Sequence, residues 1–178
     1  MVWPIPILPT SWVNASPQVD SHPNAHNALA DGVNTIAARF PRGFVAQAIG
    51  GTVTGAGVPE IDVSGMSVTW TTTSGRKYLA LAQFHLTKHG GLGNGFPALT
   101  NAANALLVGV TYTFAASADS YASPIMFYIV DGSGLAVTLK GRVHADSGTV
   151  DVRKGDLVVI DLGTSSPLTA LLATIGGV

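Results

Sequence analysis

The sequence predicts a mainly β protein, in which an extended N-terminal arm and a short coiled-coil-like helix precede an antiparallel jelly-roll β-sandwich, the whole self-associating. Three observations lead there. Alternating apolar stretches rich in Val, Thr, Tyr and Phe recur through residues 43–162, with turn-forming residues between them and no stretch patterned as a crossover helix. Helical periodicity is confined to residues 21–40, where His22, His26, Leu29, Val33, Ile36 and Phe40 follow one another at spacings of four, three, four, three and four. Finally, charged residues are only 11% of the 178 and the net charge is −1, against about 25% charged in ordinary soluble domains. A surface so poorly charged is expected to be covered, in large part, by other subunits.

Residues 1–20 cannot be helical, because Pro4, Pro6, Pro9 and Pro17 fix an extended path. Between the prolines stand Trp3, Ile5, Ile7, Leu8 and Trp12, too apolar for a solvated tail, so the segment reads as an anchoring arm laid on a neighbour. Residues 21–40 form the helix, with Ser21 as N-cap, Pro23 in the first turn and Pro41 stopping it. Its apolar positions make a narrow a/d seam of the coiled-coil kind. Either the seam packs on the chain's own sandwich or it meets identical helices; the second is expected, with His26, Leu29, Val33, Ile36 and Phe40 as the interface between copies. His22 and His26, one turn apart, could hold a metal on a three-fold axis, but exposed polar residues are the simpler reading, and no metal site is assigned.

Residues 41–163 are read as the jelly-roll domain. A first strand spans residues 43–49, followed by a glycine-rich loop through Pro59. Residues 66–73 and 76–86 are expected to pair as a hairpin about Ser74 and Gly75. Residues 87–104, with their GGLGNG run, read as a long surface loop. Further strands are expected at 105–115, 125–131, 135–145 and 148–162, the last broken near Lys154 to Asp156. Residues 125–130 and 157–160 are apolar on both faces, as if one met the core and the other a second subunit. About eight such strands close most simply as a jelly roll. Residues 164–178 are an uncharged apolar tail, expected from its composition to be buried.

Several function classes have no support in the residues. The absence of cysteine removes disulfides, thiol nucleophiles and Cys-based metal sites. No apolar run reaches the length of a membrane-spanning helix, and the nine Lys and Arg are scattered singly, so neither membrane insertion nor nucleic acid is expected as a partner. Glu60 is the sole glutamate, and Glu60 with Asp62 is not expected to converge as a catalytic pair; the GGLGNG run lacks the helix that a phosphate loop requires. No catalytic residue and no cofactor is assigned. Phe96, Tyr112 and Tyr121 are aromatic candidates for sugar contact.

Specific motifs carry a family resemblance. Residues 11–36, SWVNASPQVDSHPNAHNALADGVNTI, with Trp12, Asn14 and Asn27, resemble the N-terminal signature of tailed-bacteriophage virion proteins, in which a Trp-containing strand leads into a short oligomerising helix. PRGFVAQA from Pro41, VTWTTTSGRKYLALAQF from Val68 and GDLVVIDLG from Gly155 resemble minor tail or fibre proteins of actinobacterial phages, with trimeric jelly rolls of the complement and tumour-necrosis-factor shape. The chain departs from that pattern at Ala15, where Gly is usual, and in the tail beyond Gly163. The resemblance implies a homotrimeric virion protein, made in the bacterial cytoplasm and carried on the particle surface. Its implied partners are itself, other tail or capsid proteins, and a host-surface glycan. A capsid decoration or head-fibre protein is the alternative, and a polysaccharide-degrading tail enzyme a more distant one.

Overall fold

A computed structural model describes residues 22–39, 42–89, 92–114 and 119–164. The arm with Trp3, Ile5, Ile7, Leu8 and Trp12, and the tail from residue 165, lie outside the described residues. One helix, α1 (His22–Arg39), precedes eleven strands: β1 (Gly43–Gly50), β2 (Val53–Ala56), β3 (Ile61–Thr71), β4 (Lys77–His89), β5 (Gly93–Asn101), β6 (Leu106–Gly109), β7 (Tyr112–Phe114), β8 (Asp119–Ala122), β9 (Ile125–Asp131), β10 (Ala136–Ala145) and β11 (Thr149–Gly163). The helix stops short of Pro41, as the steric restriction on a residue before proline requires.

The strands form two antiparallel sheets. In the six-stranded sheet β11 lies between β1 and β4, β2 continues the β1 edge along β11, and β8 and β9 lie end to end along the far edge of β4. In the five-stranded sheet β10 lies between β3 and β5, and β6 and β7 share the free edge of β5. With the broken edges counted as single strands, the order is β1-β11-β4-β9 over β3-β10-β5-β6, a jelly roll.

The expected hairpin at Ser74–Gly75 is absent. β3 pairs with β10 and β4 with β11 and β9, so the short turn carries the chain across the sandwich from one sheet to the other. Alternation along both strands is as read, but Met66, Val68 and Trp70 face Tyr78, Ala80, Ala82 and Phe84 through the core instead of beside them. Trp70 and Tyr78 meet edge to face at 5.9 Å. The corner is bonded to a second crossing, the β9–β10 connection: Gly75 N–H donates to Gly132 O, Gly132 N–H to Arg76 O and Thr72 N–H to Leu135 O. Beneath it Arg76, buried, is paired with buried Asp161 of β11 at 2.8 Å.

Two further expectations are corrected. Residues 93–101 of the presumed loop are β5, an inner strand, and the presumed break near Lys154 is a bulge within a continuous β11. Within the core, Met66 of β3 is fully buried, and its side chain occupies the space left by Gly141 of β10 and Gly155 of β11, where a Cβ would come within 2.3 and 2.6 Å of its sulfur.

Candidate functional site

The two outer faces of the sandwich differ in chemistry. On the six-stranded sheet, antiparallel register aligns Phe44, Ile160, Leu79 and Ile129 in one row across four strands, and Gln47, Val158, Leu81 and Phe127 in the next. A third row holds Ile49, Asp156, Gln83 and Ile125. Their strand neighbours Ala48, Leu157, Val159, Ala80, Ala82 and Met126 are buried in the core, so pleating turns these rows outward, although Leu79 in the first row is itself buried. Phe44, Ile49 and Ile125 are 45, 61 and 63% exposed. The strands read as apolar on both faces therefore flank β4 and merge with it into one continuous patch, interrupted only by Gln47, Gln83 and Asp156.

The helix also turns apolar residues outward. Leu29 and Val33 are 65 and 37% exposed, while the covered side carries buried Ala30 and half-buried Asn27 and Asn34. Of the seam residues, Leu29 and Val33 are exposed; the side chains of His26 and Ile36, and Phe40 altogether, lie outside the described residues.

The five-stranded sheet is polar outside. Thr69 and Thr138 hydroxyls hydrogen-bond at 2.8 Å, and Lys140 pairs with Asp62 at 3.2 Å. Arg142 donates from Nε to Asp62 Oδ1 at 2.6 Å, from Nη1 to Glu60 Oε2 at 2.5 Å and from Nη2 to the Glu60 carbonyl at 2.8 Å. Glu60 and Asp62 thus converge, contrary to expectation, because residues two apart share a face of an extended chain. Burial is the largest single influence on the Asp62 carboxyl and pushes it up, but the hydrogen bonds and charges of Arg142 and Lys140 together outweigh it and hold the group below its ordinary value.

Beside this cluster lies a cavity of about 350 Å³, and a proline explains it. Pro97 sits within β5 where the carbonyl accepts from Val110 N–H on the β6–β7 side, so its missing N–H falls on that side too. An edge strand cannot be bonded continuously there; it breaks at Val110–Thr111, leaving the cavity over Phe96, Pro97 and Ala98. Phe96 stacks on His144 with ring centroids 4.4 Å apart, and His144 Nδ1 is buried without a hydrogen-bond partner, 3.9 Å from Glu60 Oε1.

The remaining sequence candidates are dispersed. Tyr112 lies against Phe114 beside β5, whereas Tyr121 is on the other sheet under the Arg153 guanidinium, so with Phe96 they do not form one aromatic platform. His89 Nε2 is 2.9 Å from Asp151 Oδ2, and Asp151 Oδ1 accepts from Gly55 N–H. His85 meets the Ser123 hydroxyl. Among the described residues no group of three or more metal-ligating side chains gathers, and no helix is long and apolar enough to cross a membrane.

No family model and no curated protein matches the chain. Solved structures with a similar course include a carbohydrate-binding module of Cellvibrio mixtus lichenase 5A in complex with cellotriose, at 9% identity and TM-score 0.35 over 65% of this chain and 97% of that one. Infectious bursal disease virus, Gx strain, is similar at 9% identity and TM-score 0.37 over 71% of this chain, which spans 33% of the viral one. The enzymatically active domain of bacteriophage CBA120 tailspike protein 4 is similar at 11% identity and TM-score 0.28, over 64% of this chain and 19% of that one. At such scores none of these likenesses bears on function.

Proposed function

We propose that the chain is a homotrimeric structural protein of a bacteriophage particle, a minor tail or fibre component without enzymatic activity. In this reading residues 1–20 anchor it, α1 and the outer face of the six-stranded sheet join its copies, and the polar face of the five-stranded sheet is displayed. The observation that carries self-association is the apolar outer face: its first two rows contain no charged residue, and apolar surface removed from water stabilises by about 25 cal/mol per Å². Low overall charge and the outward Leu29 and Val33 agree with it. The virion setting is supported by the motif resemblance in residues 11–36, 68–84 and 155–163. A capsid decoration protein is the second reading. Residues 87–104, which read as a surface loop in the sequence, contain β5 and offer no long contact loop of the kind that would suit a tail component, so copy number decides between the two.

Light scattering of the purified chain is expected to give about three times 18.2 kDa, and a folded monomer would overturn the proposal. Phe127→Asp and Val158→Asp, each on the outer face, are expected to give folded monomers. Quantitative mass spectrometry of particles should find few copies relative to the major capsid protein; hundreds would move the chain to the capsid.

A further inference from the structure

We propose that the cavity at the break between β6 and β7 binds a neutral sugar ring. A pyranose presents a C–H face and a rim of hydroxyls, and recognition needs an apolar wall next to a few hydrogen-bonding groups. Phe96, Pro97, Leu106 and Val110 supply the wall. Glu60, Thr111 and His144 supply the polar margin.

The state of these polar groups points to a hydroxyl-bearing ligand. Glu60 Oε2 is held by Arg142, while Oε1 has no hydrogen bond among the described residues and stands 3.9 Å from the unpartnered His144 Nδ1. Nδ1 has no open surface, so a ligand hydroxyl meets Oε1, to which it can donate at ordinary hydrogen-bond length. Charge selects against acids. Glu60 is the only carboxylate lining the cavity, and the nearby guanidinium of Arg142 is already shared between Glu60 and Asp62, leaving no free cation for an anionic sugar. The volume of about 350 Å³ suits one or two rings and excludes a long buried chain.

This inference deepens the surface-display reading, yet its test uses the isolated chain, so that failure to bind sugar and absence from the virion are separate results. Methyl-group NMR of the full chain is followed while methyl glucopyranoside, galactopyranoside, mannopyranoside and N-acetylglucosaminide are added to roughly 10 mM, in the range of millimolar affinities. Saturable shifts of Leu106, Val110 and Thr111 methyls with at least one of them are expected. Thr111→Trp, which fills the mouth, should weaken binding at least ten-fold at unchanged melting temperature; Leu106→Ala, at an exposed position, is the second variant and should weaken it as well. Absence of shifts with every sugar, shifts equally strong with methyl glucuronide, or shifts from a proline-rich peptide alone would each overturn the proposal.

Discussion

Arg76 and Asp161 show how a single pair fixes a corner of this fold. Both are buried, the guanidinium Nε lies 3.0 and 2.8 Å from the two carboxylate oxygens, and Oδ1 also accepts from Gly163 N–H. Removing one partner leaves a charge without its counter-ion in the interior, so Asp161→Ala should cost about 3–5 kcal/mol in denaturant unfolding. Replacing both residues by leucine should recover much of that loss. Asp62 makes the contrasting case, being half exposed, so its pair with Arg142 is worth less than about 1 kcal/mol. Its folded pKa is depressed, so the stabilisation is present above the ordinary value of 3.8 and is lost as pH falls below it through the folded value. The stability difference between the parent chain and Asp62→Asn should accordingly shrink on acidification below that point; a difference that grew would contradict the pairing.

At the scale of elements, the joined corners hold the sheets in register. A Cβ on Gly132 would lie 2.0 Å from Thr73 O and 2.9 Å from Arg76 O, both backbone atoms. Gly132→Ala should therefore cost at least about 3 kcal/mol, whereas the same change at Gly134, which has open space but a left-handed φ of 82°, should cost less, as thermal unfolding can compare. These corners mark what the sequence made legible. Period-two alternation located β3, β4, β9, β10 and β11 to within a few residues, because burying one face is a local pattern. It was silent on partners: the Ser74–Gly75 turn looks the same whether it joins neighbours in a sheet or crosses the core. β5 escaped notice for a related reason. Its glycines and Pro97 have poor strand propensity, and it is held by Asp146, which accepts from Asn94 N–H at 2.7 Å, and by pairing with β10, both distant in sequence. The cavity was illegible with it. Phe96 and Glu60 were noticed separately, but only the fold brings them to His144.

For the molecule as a whole, the proposed function rests on the contrast between an apolar face, given to association, and a polar face, given to display. Deleting residues 2–19 should leave the sandwich folded by circular dichroism, since the described strands pair with one another, yet abolish incorporation into particles. A truncated chain that still entered virions would defeat the anchoring role. The strand order also bears on how the chain reaches its native state. β1 runs along β11, Gly43 opposite Asp161, so β1 and β2 have no partner in the six-stranded sheet until β11 has been synthesised. Pairings this distant in sequence make for slow folding, in milliseconds to seconds. On the trimer reading proposed above, α1, made before every strand and built from local contacts, is available for association between nascent chains on one messenger before any sandwich has closed.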